Sequence, residues 1–148
     1  MPNSILKLNF KYMSEEKQIH ALIVEDDPDQ VMLYLTKFMI EGVTTIATDN
    51  EWDTMQYLLG GGFDIVLLDI LLKGNENGMK ILKAIKEDPK TKHIPVAMFT
   101  NYTKKEVQEE AKKLGAVDFI VKSETTPKMV AERIKELVSE DKASRKIV

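Results

Sequence analysis

The sequence predicts an open parallel α/β sheet, and three observations carry that expectation. Short apolar runs recur through the middle of the chain, at Ile19 to Val24, Val43 to Ala47, Ile65 to Leu68, Ile94 to Phe99 and Val117 to Val121. Several are apolar almost throughout, as parallel strands covered on both faces must be. Stretches of helical length lie between them, with capping and stop signals at the seams. Five strands alternating with five helices imply a parallel sheet with right-handed crossovers.

The elements follow in order. After the first strand, Asp27-Pro28-Asp29-Gln30 sets a capping side chain before a first-turn proline, with Gln three residues past the cap. Val31, Tyr34, Leu35 and Phe38 then keep the i, i+3, i+4, i+7 spacing of a buried helix stripe. Gly42, Gly60-Gly61-Gly62, Pro89 and Gly115 mark helix stops. Thr103-Lys104-Lys105-Glu106 has the form of a capping box, ahead of a narrower stripe of Val107, Ala111 and Leu114. Thr126-Pro127 opens the last helix, whose stripe is Val130, Ile134, Leu137 and Val138. The domain is therefore placed at 19–140, with an N-terminal extension over 1–18 and a polar C-terminal tail over 141–148. In the extension, Leu6, Leu8, Phe10 and Tyr12 alternate with polar residues, so an extra strand or docking arm competes with a simple unstructured extension. Met13-Ser14-Glu15-Glu16 reads as a natural start, which would make the first twelve residues dispensable.

Composition narrows the class. The chain has 148 residues, the length of one domain, and 43% hydrophobic residues, enough for a core. At this length a separate effector domain is not expected. It has no cysteine, which excludes a disulfide framework, zinc–cysteine sites and thiol catalysis. With 21 Lys+Arg against 24 Asp+Glu the net charge is −3, which argues against nonspecific nucleic-acid binding. No apolar run approaches the ~20 residues of a membrane span, and no signal peptide is visible. A soluble cytoplasmic protein is expected.

Ligands of an open parallel sheet bind beyond the carboxyl ends of its strands. The first strand ends in Glu25-Asp26-Asp27, the third in Asp69, the fourth in Thr100 and the fifth in Lys122. Singly, each has an ordinary explanation as a cap, a loop residue or a solvated strand end. Together they set three carboxylates, a hydroxyl and an ammonium on one edge. Asp69 follows the apolar Ile65-Val66-Leu67-Leu68, so its carboxylate is partly desolvated and needs a partner. Clustered carboxylates repel unless a cation intervenes, and an oxygen-only donor set suits Mg²⁺. An aspartate there can attack phosphorus to give an acyl phosphate, while Lys122 and Thr100 bind phosphoryl oxygens. No P-loop and no Gly-x-Gly-x-x-Gly follows a strand, so nucleotide hydrolysis and dinucleotide binding are unsupported. His20 and His93 lie outside the constellation and are read as structural or solvated.

Four segments now carry a resemblance. Leu22-Ile23-Val24-Glu25-Asp26-Asp27-Pro28, Ile65 to Ile70, Val96-Ala97-Met98-Phe99-Thr100 and Gly115 to Lys122 resemble the signature blocks of response regulator receiver domains. The resemblance spans about residues 19 to 140. It implies a doubly wound, five-stranded parallel sheet of order 2-1-3-4-5 flanked by five helices, the flavodoxin-like receiver fold. It implies Asp69 as phosphoacceptor, and Mg²⁺ held by Glu25, Asp26, Asp69 and the Leu71 backbone carbonyl. Thr100 would be the switch hydroxyl, Phe119 the switch aromatic and Lys122 the phosphoryl-binding lysine. The expected phosphodonor is a sensor histidine kinase or histidine phosphotransfer protein. A downstream protein would meet the face made by the fourth helix, fifth strand and fifth helix. On this reading the chain is a signalling receiver, not an enzyme in its own right.

The chain departs from the family pattern at four places. The loop after Asp69 reads Leu72-Lys73-Gly74-Asn75-Glu76-Asn77 where Met-Pro is usual, and Gly78 comes nine residues past the aspartate where eight is common. Ser123 replaces a common proline, Asn101 stands where a small residue is usual, and Phe119 lacks the tyrosine hydroxyl of some members. Leu71 and Tyr102, each two positions past a site residue, are bulky and carry no group to orient a hydrolytic water, which implies a long-lived phosphoaspartate. Three alternatives stand beside this reading: a receiver cut from a hybrid kinase, an interaction module that dimerises with little dependence on phosphorylation, and an aspartyl phosphatase. Asp69-Ile70-Leu71 argues against the last, because its third position is apolar where such enzymes carry a second aspartate.

Overall fold

The computed structural model describes residues 18–146. The arm around Leu6 to Tyr12 and the proposed start at Met13 lie outside the described residues. The strands are β1 (Ile19–Val24), β2 (Val43–Thr48), β3 (Ile65–Leu68), β4 (Val96–Thr100) and β5 (Asp118–Val121). Between them run α1 (Pro28–Ile40), α2 (Glu51–Leu59), α3 (Gly78–Glu87) and α4 (Lys105–Lys113), and α5 (Pro127–Lys146) closes the chain. All ladders are parallel and the sheet order is β2-β1-β3-β4-β5, as the resemblance implies.

The near-continuous apolar runs have a direct explanation. Successive strand residues face opposite sides of a sheet, and here both sides are covered. Ala21 and Ile23 of β1, Ile65 and Leu67 of β3, and Ala97 and Phe99 of β4 pack with Tyr34 and Phe38 of α1 and Ile134 of α5. Leu22, Val24, Val66, Leu68, Val96 and Met98 point the other way, against Leu58 of α2, Ile81 and Ile85 of α3, and Ala111 of α4. One-residue alternation thus divides each strand between two cores.

Besides one-residue shifts at the end of β2 (Thr48) and the start of β5 (Asp118), three boundaries differ from expectation. β4 begins at Val96, not Ile94, because Pro95 has no N–H to give the ladder, although its carbonyl accepts from Val66 N at 2.9 Å. The capping box at Thr103 does not form: α4 starts at Lys105, its N-cap is Lys104, and no side chain caps it. The Thr103 carbonyl instead accepts from the Gln108 side-chain amide at 2.9 Å. Residues 141–146, expected as a polar tail, continue α5, where Arg145 pairs with Asp141 one turn back and donates to the His93 carbonyl. Two other expected cap residues, Asp27 and Thr126, do cap their helices. Asp27 accepts from Asp29 N and Gln30 N, and Thr126 Oγ1 accepts from Met129 N.

One glycine is required by a close approach. Gly78 opens α3 and donates its N–H to the Ile70 carbonyl at 2.9 Å. A Cβ added there would sit 1.9 Å from the Asp69 carbonyl oxygen and 2.7 Å from the Ile70 Cα. Backbone, not a flexible side chain, is what it would strike. Gly78→Ala should therefore cost about 3 kcal/mol in urea unfolding, the upper range for overpacking. A loss below about 1 kcal/mol would show that α3 can shift freely against β3.

Candidate functional site

Strand pairing builds the site. β1 and β3 are neighbours with Val24 opposite Leu68, so the next residues, Glu25 and Asp69, leave the sheet side by side. β4 and β5 are neighbours with Thr100 opposite Val121, which brings Lys122 to the same edge. The backbone fixes both acids: Glu25 N donates to the Thr48 carbonyl at 2.9 Å and Asp69 N to the Val24 carbonyl at 3.1 Å. Glu25, Thr100 and Lys122 are buried, and the Asp69 side chain is 12% exposed.

Lys122 is the centre of the arrangement. Its Nζ donates to Glu25 Oε2, to Asp69 Oδ2 at 2.9 Å and to Gln30 Oε1 at 2.7 Å. It also lies 5.5 Å from the centroid of the Phe99 ring. The remaining carboxylate oxygens are bound too. Glu25 Oε1 accepts from Asp26 N at 3.2 Å and Asp27 N at 3.1 Å, and Asp69 Oδ1 from Ile70 N at 2.7 Å. Burial pushes the Glu25 carboxyl above its ordinary value, against the pull of Lys122. Burial also acts to lower Lys122, but its bonds and charge attraction to Glu25 and Asp69 outweigh this and hold the ammonium above the usual lysine range. Desolvation likewise raises the hydroxyl of Tyr34, whose ring packs edge-on to Phe99 at 4.9 Å.

The other expected residues are near but differently engaged. Asp26 Oδ2 accepts from Lys73 N at 2.7 Å, tying the loop after β3 to the first strand end. Thr100 Oγ1 accepts from Tyr102 N at 3.1 Å. Leu71 is exposed and bridges Asn77 across the loop. Phe119 is half-buried against the α2–α4 core, on the α4 side of β5. Among the described residues no three Asp, Glu or His side chains converge to hold a metal ion, because Lys122 draws Glu25 and Asp69 to itself. The donor chemistry nevertheless suits a hard cation. A cleft of about 470 Å³ beside Glu25 and Asp26 is also lined by Asp49 and Asp53, and by no basic residue.

Sequence reasoning missed two features here. Gln30 was expected as a capping partner for Asp27, yet Glu25 Oε1 takes the Asp27 N–H and the Gln30 side chain turns to Lys122. Asn101 and Ser123, read as separate departures, are a pair: Ser123 N, a donor that proline lacks, gives its proton to Asn101 Oδ1 at 2.7 Å. The loop after Asp69 is pinned as well, since Glu76 Oε2 accepts from Glu51 N at the start of α2, at 2.9 Å.

A doubly wound 2-1-3-4-5 sheet with this edge defines a flavodoxin-like α/β domain. The chain belongs to the response regulator receiver domain family, which it matches over residues 21–134. It is 28% identical to the polar-differentiation response regulator DivK of Brucella anthropi over 110 residues, 74% of this chain and 89% of that protein. It is 30% identical over 115 residues to a probable cyclic di-GMP phosphodiesterase of Vibrio cholerae, covering 78% of this chain but 26% of that protein. Among solved structures, a CheY-like receiver domain protein from Methanospirillum hungatei JF-1 superposes with a TM-score of 0.77 at 22% identity, over 86% of this chain and 99% of that one. Receiver domains are signalling modules that work with histidine kinases and downstream proteins. No described helix is long and apolar enough to cross a membrane.

The Lys122 network makes a pH-dependent prediction. In Lys122→Met without metal, Glu25 is a buried carboxylate stripped of its counter-charge, which should cost about 3 kcal/mol at pH 8. A carboxyl whose folded value is raised contributes stability that is present at low pH and lost as pH rises through that value. The deficit should therefore shrink at pH 5, as Glu25 takes up a proton. Equal deficits at both pH values by urea titration would show that Lys122 does not carry the charge balance.

Proposed function

We propose that this receiver accepts a phosphoryl group on Asp69 and passes the change to a protein partner. The observation that carries the reading is the buried Lys122 ammonium bridging Asp69 and Glu25, at the carboxyl edge of a sheet whose family is a phosphorylated signalling module. An Asp69 carboxylate oxygen attacks phosphorus, a P–O bond forms, and the bond from phosphorus to the donor nitrogen of a phosphohistidine breaks. The departing imidazole keeps the electron pair and takes a proton. Lys122 supports the charge that gathers on the phosphoryl oxygens. Glu25, Asp26, Asp69 and the Leu71 carbonyl would hold Mg²⁺, which when bound offsets phosphoryl charge. For Asp26 to serve, its carboxylate must share or release the Lys73 amide.

The switch follows from the neighbouring strand. Thr100 Oγ1 now serves the Tyr102 amide, and its hydroxyl proton is available to a phosphoryl oxygen. Movement of that loop opens space for Phe119, which lines a groove with Lys105, Gln108 and Lys112 beside α4. The face of α4, β5 and α5 then offers its partner a changed surface. The phosphodonor is a sensor histidine kinase or histidine phosphotransfer protein, and the setting is cytoplasmic. A segment of a larger hybrid kinase would use Asp69 in the same way.

Two experiments follow. Incubation with acetyl phosphate and Mg²⁺ should add one phosphoryl group by intact mass, and Asp69→Asn should abolish the gain; no gain in the wild type would falsify the reading. The rim residues govern lifetime: Leu71 is 61% exposed and Tyr102 half-buried, and neither side chain carries a carboxylate or amide. The double replacement Leu71→Asn, Tyr102→Glu should speed loss of the phosphoryl group by about tenfold or more, because it adds groups that can orient water. Unchanged decay in that variant would place control of lifetime elsewhere.

A further inference from the structure

An ammonium has three N–H bonds to give, and Lys122 spends all three, on Glu25, Asp69 and Gln30. Because an ammonium only donates, the contact also settles how the Gln30 amide is turned, with its oxygen toward Lys122. Two of the acceptors are carboxylates. Gln30 is the neutral member: all three bonds have a charged donor, but only the two carboxylates add the attraction of opposite charges. A phosphoryl group arriving on Asp69 needs a donor from Lys122, and none is spare. The acceptor that Lys122 gives up at least cost is the neutral one.

Gln30 is held at this post from several sides. Its N–H belongs to the cap set by Asp27, and the capping bond its side chain would otherwise make is already filled by Glu25. One turn on, Tyr34 stacks on Phe38 and meets the Phe99 ring that lies beneath Lys122. The start of α1 is thus registered on the ammonium. Gln30 itself is half-buried, so water can take over its oxygen once Lys122 leaves.

We propose that Gln30 is a positioning residue: it occupies the third N–H of Lys122 before phosphorylation and is the partner exchanged for a phosphoryl oxygen. This rests on Asp69 being the acceptor. Removal of the competing acceptor should free Lys122 for phosphoryl transfer, whereas a third carboxylate should hold it back and repel the incoming anion.

The test uses the full chain with Gln30→Met and Gln30→Glu and reads two quantities. Proton exchange of the Lys122 ammonium, followed by ¹⁵N–¹H NMR without phosphodonor or metal, should quicken about tenfold in Gln30→Met as one of three bonds is lost. Phosphoryl gain from acetyl phosphate with Mg²⁺ should be at least as fast as wild type in Gln30→Met and about tenfold slower in Gln30→Glu. Thermal midpoints within about 2 °C of wild type would show that neither change acts through global stability. Unchanged ammonium exchange in Gln30→Met overturns the positioning role. A wild-type phosphorylation rate in Gln30→Glu, or a tenfold loss in Gln30→Met, overturns the exchange of partners. If wild type gains no phosphoryl group, the acceptor reading fails instead, and the exchange arm still decides whether Gln30 holds Lys122.

Discussion

A single desolvated ammonium organises this protein. Two carboxylates cannot stand at adjoining strand ends, one of them buried, without an opposite charge between them. Lys122 supplies it from the far side of the sheet, 97 residues along the chain from Glu25. Four elements deliver residues to that point: β1 brings Glu25, β3 brings Asp69, β5 leads into Lys122 and the first turn of α1 brings Gln30. In the mechanism proposed above, the contact that balances charge in the resting molecule is also the one a phosphoryl group on Asp69 would rearrange. On that mechanism, stability and signalling would draw on one set of hydrogen bonds.

The surroundings are built to keep that set in place while leaving one side open. Apolar residues on both sheet faces hold the strands in register, and Gly78 lets α3 lie directly on the Asp69 backbone. The loop after Asp69 is tied at two points, by Asp26 to the Lys73 amide and by Glu76 to the start of α2. Asn101 and Ser123 join the segments that follow β4 and β5, next to Thr100 and Lys122. The serine has a backbone N–H where proline has none, and the asparagine receives it. Two residues that look unrelated along the chain meet in space.

Much of the fold was legible because strand and helix patterns are local. The alternation of apolar runs with helical stripes, the cap at Asp27, the Thr126-Pro127 start and the glycine stops all act within a few residues. Misreadings arose where a local signal had a competitor. The Thr103 capping box lost to a helix that starts two residues later, and Pro95 delayed β4 by its missing N–H. The charges of the last residues, read as a tail, instead support helix, with Arg145 reaching both Asp141 and the His93 carbonyl.

The site divides the same way. That Glu25, Asp26, Asp69, Thr100 and Lys122 share one sheet edge was determined by the sequence, because each directly follows or ends an apolar run and parallel strands all point their carboxyl ends one way. Which of them touch was decided only by tertiary structure. Strand order puts β1 beside β3 and β5 beside β4, so Lys122 meets Glu25 and Asp69 while Asp26 turns to Lys73. The diversion of Gln30 from cap to ammonium and the pairing of Asn101 with Ser123 depend on contacts between residues 92 and 22 positions apart. No local pattern encodes a bond of that span, since it forms only after the sheet has closed the distance.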